Sequence, residues 1–245
     1  MFFRLTWFAV KRMLRGYIGL IFLLVLPLAI ITVNGFAMGD MVVDDSGRRG
    51  IDIIAVGIVI GFQLVGGFYT MEYMKEDLFT NFRWRMQSLP LKLHVYAYSI
   101  LTASTLYSAI NGFVIVLFTH WVYGVGWGNI GWVVLVLILV SLISQTVFLT
   151  AVLGFRKYRF AELTGYSYVF IFMILAGYFF VSIPDVAIFN VINKYLNPLA
   201  LGETAIVNVM LGENISEAVW SVGLLLLGSV IFGLITMIIG RRRLV

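Results

Sequence analysis

From Gly16 to Gly39 the chain runs for 24 residues without one charged side chain. A helix of that length reaches roughly 36 Å, enough to cross the ~30 Å hydrocarbon layer of a bilayer. Similar stretches recur at residues 53–71, 163–184 and 218–240. Residues 95–155 form one longer stretch, with His120 as the only ionisable group. It is too long for a single crossing and divides at the glycine- and aromatic-rich segment 120–129, giving spans at 95–119 and 130–155. Inside lipid every backbone N–H and C=O needs an internal partner, so such stretches are helical. The expected fold is an all-α integral membrane protein with six spans. Composition agrees: 61% of residues are apolar and 12% charged, against about 25% charged in soluble domains.

Basic residues set the orientation. With both termini cytoplasmic, the N-terminus, the 72–92 loop, the 156–162 loop and the C-terminal tail hold 14 of the 17 Lys and Arg residues. Arg48, Arg49 and Lys194 lie outside, with 8 of the 12 acidic residues. The net charge of +5 is thereby explained as a topology signal and not as a nucleic-acid footprint. Trp121, Tyr123 and Trp127 fall where an outer aromatic belt is expected. Residues 1–15 do not resemble a cleavable leader, because the apolar run after them is about twice an h-region in length.

Three segments lie between or before the spans. Residues 1–15 mix Phe2, Phe3, Trp7 and Phe8 with Arg4, Lys11, Arg12 and Arg15. That pattern suits an amphipathic helix in the inner headgroup layer, or a simple basic anchor. Residues 76–89 place Leu78, Phe82 and Met86 on one helical stripe, with Glu76 and Asp77 near the start and Pro90 at the end. Such a helix must dock, either on its own bundle or in a groove of a partner. Residues 185–217 are too long and too apolar for a plain loop. Asn197-Pro198 divides them into two short helices, forming a surface hairpin or one that dips back into the membrane.

The composition also excludes chemistry. No cysteine is present, and His94 and His120 are far apart. No spacing suits zinc. There is no G-x-x-x-x-G-K-[ST] phosphate loop, no H-E-x-x-H and no G-x-S-x-G. No charge lies in the middle of a span, which argues against a proton-coupled carrier or ion pump. A stand-alone channel or secondary carrier is the competing class. Gly57 and Gly61 form a GxxxG pattern suited to close helix contact, in a dimer seam or in ordinary packing. Asn34, Gln63, Asn111 and Gln145 are the neutral polar candidates for lining a path, or for hydrogen bonding between helices.

The ordered set resembles the membrane subunits of type-2 ATP-binding-cassette exporters, the ABC-2 permeases, over nearly the whole chain. The features are an N-terminal interfacial helix, six spans, and Glu72 at the exit of span two. A cytoplasmic helix ending in Ser88-Leu89-Pro90-Leu91 and a broken hairpin at Leu196-Asn197-Pro198-Leu199 complete it. Leu89 stands where the family usually has Thr.

The resemblance implies that residues 76–89 are a coupling helix seated in a separate ABC ATPase subunit. Glu72, Glu76, Asp77 and Pro90 would frame it. Phe79, Phe82 and Trp84 would be its anchors, and Arg83 and Arg85 would pair with acids of the partner. ATP and Mg²⁺ would sit on that ATPase, with no cofactor on this chain. A second permease copy or paralogue would complete the path, in a bacterial cell membrane. The implied cargo is amphipathic or hydrophobic: a peptide, a drug or a lipid-like molecule. Lipid-linked polysaccharide is the alternative, and a short chain of this kind is most similar to peptide-toxin (phenol-soluble-modulin-like) exporters.

Overall fold

A computed structural model describes residues 2–38, 41–42, 49–80, 93–178 and 186–242. The described residues are helical apart from short connections and one isolated bridge between Val42 and Arg49. Among them, five helices are long and apolar enough to cross a membrane: Tyr17–Ala37, Gly50–Phe79, Val95–Tyr123, Ile130–Gly154 and Ile215–Gly240.

Helix α1 (Phe2–Leu14) lies against the bundle through Thr6 and Met13, with Ala9 and Val10 half-buried, while Phe3, Trp7 and Phe8 are exposed. The first span begins as α2 (Tyr17–Leu20), widens into a π turn (Ile21–Val25) and continues as α3 (Leu26–Met38). Pro27 explains the widening: it has no N–H to offer the preceding turn, and its ring crowds that turn.

The second span is α4 (Gly50–Val65) followed by α5 (Gly67–Phe79), with a break at Gly66. Asp52 caps its start, accepting from the Arg49 backbone N–H at 3.3 Å and from the Arg49 guanidinium. The Arg49 guanidinium also donates to the carbonyls of Tyr123 (3.2 Å) and Gly124 (2.8 Å). The break frees the Leu64 carbonyl, which accepts from Ser144 Oγ. At 30 residues this span is about 45 Å long. It therefore outruns the hydrocarbon layer by some ten residues.

Helices α6 (Leu93–Tyr123) and α7 (Ile130–Gly154) form the third and fourth spans. The loop between them turns on Gly124 and Gly128, at φ +64 and +62. It does not hold Trp127 in an interfacial belt. That indole is fully buried and donates to Thr119 Oγ1 at 3.0 Å, whereas Trp121 is exposed. Trp127 pins the loop because a buried indole N–H requires an acceptor. Helix α7 is the central post and packs against α4, α5, α6, α8, α10 and α11.

The fifth apolar stretch departs from the span expected at 163–184. Helix α8 (Tyr158–Leu175) begins earlier, carries Arg159 and Glu162, and closes at Gly177 with φ +79. It is not among the five helices above. Residues 179–185 lie outside the described residues. Helices α9 (Ala187–Tyr195) and α10 (Pro198–Leu211) follow, and α11 (Ile215–Arg242) ends the described chain.

The face of α4 bearing Gly57 and Gly61 is occupied within the chain. Tyr178 lies against both glycines, and a Cβ on Gly61 would come within 3.2 Å of its ring. This GxxxG pattern therefore seats an aromatic side chain of the same subunit and leaves no seam there for a second copy.

Candidate functional site

One end of the bundle gathers α1, the end of α5, and the starts of α6 and α8. Its centre is a charged knot. The Arg12 guanidinium donates to both oxygens of Asp77, at 3.2 and 3.1 Å, and to Glu76 Oε2. Tyr96, in the first turns of α6, donates its hydroxyl to Asp77. Arg12 also lies over the Tyr73 ring, 4.7 Å from its centroid. Burial opposes the charge on Arg12, but Asp77 and Glu76 outweigh it and hold its pKa above the usual value. Asp77 is buried, and a buried carboxylate is stable only when paired and hydrogen-bonded, as here. Arg12, Asp77 and Tyr96 thus tie α1, α5 and α6 into one body.

A second set of contacts flanks the knot. Tyr69 donates to the Met13 carbonyl at 3.2 Å, and its ring fills the space beside Gly16 and Gly19. A Cβ at Gly19 would overlap that ring, so the close approach of Tyr69 to α2 requires glycine there. Glu72 accepts from Lys75 Nζ at 3.1 Å and from the Tyr158 hydroxyl at 3.2 Å. Lys75 Nζ stands 4.6 Å from the Tyr158 ring centroid, and Phe79 meets the same ring edge-on. These contacts tie α5 to α8.

The anticipated coupling residues therefore divide. Glu72, Glu76, Asp77 and Phe79 lie on α5 within this cluster. Glu76 and Asp77 do not open a new helix as expected but fall in the last turn of α5, which ends at Phe79 with Thr80 extended. Phe82, Arg83, Trp84, Arg85 and Pro90 lie outside the described residues. Arg12, Tyr96 and Tyr158 belong to the cluster too. From sequence Arg12 counted toward topology and the amphipathic pattern of residues 1–15, and the two tyrosines carried no signal.

The four polar candidates for a path do not converge. Asn34 is half-buried and donates to the Ile30 carbonyl of its own helix at 2.8 Å. Asn111 is buried and donates to the Tyr107 carbonyl at 3.0 Å. Gln63 is buried and accepts from Ser141 on α7. Gln145 is buried and accepts from the Thr70 hydroxyl, whose oxygen also lies 2.6 Å from Ser104 Oγ on α6. Gln63 and Gln145 thus tie α4, α5, α6 and α7 through neutral polar contacts.

Asn197 and Pro198 sit at the vertex between α9 and α10. The Asn197 side chain caps α10 by accepting from Leu199 N at 3.0 Å, and Pro198 occupies the first turn. Its amide donates to the Phe172 carbonyl at 3.0 Å and to Asn193 Oδ1 at 2.9 Å. Gly202, four residues on, lies against Ile60 and Val140. Those two residues lie about ten residues in from the starts of α4 and α7, roughly 15 Å along each helix. At the other end of α10, Met210 lies against Gly128 in the α6–α7 loop. The vertex is therefore deep in the bundle, and α10 climbs from it to the end opposite the charged knot.

A cavity of about 320 Å³ opens beside the knot, between the first span, α5 and α8. Its walls are mostly apolar and aromatic, and its rim carries Glu72 and Glu162.

A family model described as ABC-2 type transporter matches residues 1–211 of the chain. No curated protein matches it.

Proposed function

Since the chain belongs to the ABC-2 type transporter family, a family of multi-pass transport permeases, we propose that it is the membrane subunit of an exporter powered by a separate ABC ATPase chain. ATP and Mg²⁺ belong to that ATPase. The cargo is an amphipathic or hydrophobic molecule moved outward, and a second permease copy or paralogue completes the path.

One observation carries this reading: the charged knot of Arg12, Asp77 and Tyr96 lies at the start of the 76–89 segment. A force applied to that segment enters α5 at Glu76 and Asp77. The knot passes it to α1 and α6, and Glu72 with Phe79 passes it to α8. Rigid helices joined by hydrogen-bonded charges transmit displacement, because packed interfaces shift between discrete arrangements and do not deform smoothly. In this reading Phe82 and Trp84 anchor the segment in a cleft of the ATPase, Arg83 and Arg85 pair with its acids, and Phe79, packed on Tyr158, ties the segment to α8 instead. Pro90 ends the rod.

The same reading places the charged knot in the cytosol, as the excess of basic residues supports. Helix α8 serves as the sixth crossing, shortened at Gly177. Helices α9 and α10 form an outer hairpin whose Asn197–Pro198 vertex dips into the membrane. Non-helical backbone is tolerated there because protein buries it. Gln63, Asn111 and Gln145 hold helices together, and Asn34, on the more exposed first span, is the polar candidate retained for the path.

The test is co-expression with a candidate ABC ATPase subunit. We expect a stable detergent-solubilised complex. Phe82→Ala with Trp84→Ala should weaken the complex at least tenfold while leaving membrane insertion intact, since such aromatic anchors typically each contribute 2 kcal/mol or more. A well-inserted chain that never retains the ATPase would transfer the assignment to a stand-alone channel or carrier.

A further inference from the structure

The cavity beside the knot has an arrangement that its apolar walls alone would not produce. On α5, Phe68 and Tyr69 precede Glu72 by one turn. On α8, Glu162 precedes Tyr166 by one turn, and Tyr158 lies one turn before Glu162. The two helices run in opposite directions. Both stripes therefore read aromatic in the depth and carboxylate at the rim, at the same end of the bundle. The first span closes the third side with Ile18, Phe22 and Leu23.

The rim already holds one ammonium of the chain's own. Lys75 rests on the Tyr158 ring at 4.6 Å and on Glu72 at 3.1 Å. A cation over an aromatic face beside a carboxylate is a favourable arrangement for amines. Glu162, by contrast, has no hydrogen bond or ion pair among the described residues. It lines the cavity half-buried, with no lysine or arginine among the other lining residues. The cavity's volume lies at the lower end of the range for small-molecule sites, about 300–1,000 Å³.

We propose that this cavity is an entry site for a cationic amphiphile, a molecule with one amine or quaternary ammonium on an apolar or aromatic body. The cation sits against Glu162 at the rim, since the Tyr158 ring already carries Lys75. The body lies among Phe22, Phe68 and Tyr166. The proposal gives the cargo class for the exporter reading and rests on that reading for the direction of transport, but the binding itself belongs to this chain alone. Charge complementarity selects this occupant: Glu72 is already paired with Lys75, but a neutral lipid tail would gain nothing from the Glu162 carboxylate, unpaired among the described residues, and an anion would be repelled by it.

The experiment uses the full-length chain, without ATPase, in nanodiscs of phosphatidylcholine only. The probe is 4-(4-dimethylaminostyryl)-N-methylpyridinium, a fluorescent monocation, compared with its unmethylated pyridine analogue, which is neutral at pH 8. Saturable binding of the cation above empty nanodiscs is expected, with the neutral analogue at least tenfold weaker. Glu162→Gln should weaken the cation about tenfold and leave the neutral analogue unchanged, and Glu162→Asp should restore part of the loss. Thermal unfolding of each variant shows that it is folded.

Equal binding of both probes, insensitive to Glu162→Gln, would make the cavity a lipid-tail site and overturn the proposal. Absence of saturable binding, with Tyr166→Cys forming disulfide-linked dimers, would make it a surface covered by a second copy and overturn it equally. Absence of saturable binding without such dimers would overturn it as well. Failure here with the ATPase complex intact rejects the cargo site and keeps the exporter. Binding without any ATPase complex keeps the site and rejects the exporter.

Discussion

At the scale of single residues, the acid–base cluster around Arg12 shows what sequence conceals. An aspartate five residues beyond the polar end of a span reads as a solvated charge. Asp77 is instead buried, because α1 lies along α6 and delivers Arg12, while α6 delivers Tyr96. Those partners are 65 and 19 residues away, so no local pattern announces them. The chemistry still predicts the cost of losing the charge. Asp77→Asn leaves Arg12 with Glu76 alone, which is more exposed. A hydrogen-bonded charge pair with one partly exposed member contributes on the order of 1–2 kcal/mol. Release of α1 should therefore become roughly tenfold easier. Trypsin cleavage at Lys11, Arg12 and Arg15 in nanodiscs should accelerate by that factor in Asp77→Asn. An unchanged cleavage rate would mean that α1 is held by its apolar face and not by the knot.

At the scale of elements, the long apolar spans were legible because lipid leaves few alternatives for a charge-free run of 20 residues. The Asn-Pro break was legible for a different reason: Asn is a favoured N-cap and Pro a favoured first-turn residue. Two element features were not legible. The apolar composition continues from Leu175 through Phe179 and Phe180, so hydropathy cannot reveal that α8 closes at Gly177. The depth of the α9–α10 vertex was also hidden, because it depends on which helices surround it. That depth makes Asn197 costly to change. It is fully buried and serves both as the cap of α10 and as a donor to the Phe172 carbonyl. Asn197→Ala removes both functions and should lower stability by about 2–3 kcal/mol. Asn197→Ser keeps a capping oxygen but cannot reach Phe172, so it should fall between the two. Thermal unfolding midpoints in nanodiscs would rank the three proteins. If Ala and Ser proved equally mild, the vertex would not be a buried polar joint.

At the scale of the whole molecule, charge and fold agree without any assumption about the membrane. Helix α1 lies along α6 and reaches α5 through Arg12, Glu72 binds Tyr158 at the start of α8, and Ile239 and Gly240 lie near Gly154 and Leu153 at the end of α7. Arg4, Lys11, Arg12, Arg15, Lys75, Arg156, Lys157 and Arg159 therefore share one end of the bundle. The other end holds Arg49, close to Gly124 and to the loop that receives α10. For loops of this length the positive-inside rule predicts that the basic end faces the cytosol. The absence of cysteine allows a test free of background labelling. Lys157→Cys places a thiol at the basic end, and Glu213→Cys places one in the turn between α10 and α11, at the other. In intact cells a membrane-impermeant maleimide should label Glu213→Cys and leave Lys157→Cys unreacted. Lys157→Cys should react only after the membrane is opened. The opposite pattern would turn the knot and the 76–89 segment away from the cytosol. No cytosolic ATPase could then reach them, so this one orientation measurement bears on the exporter mechanism as well as on topology.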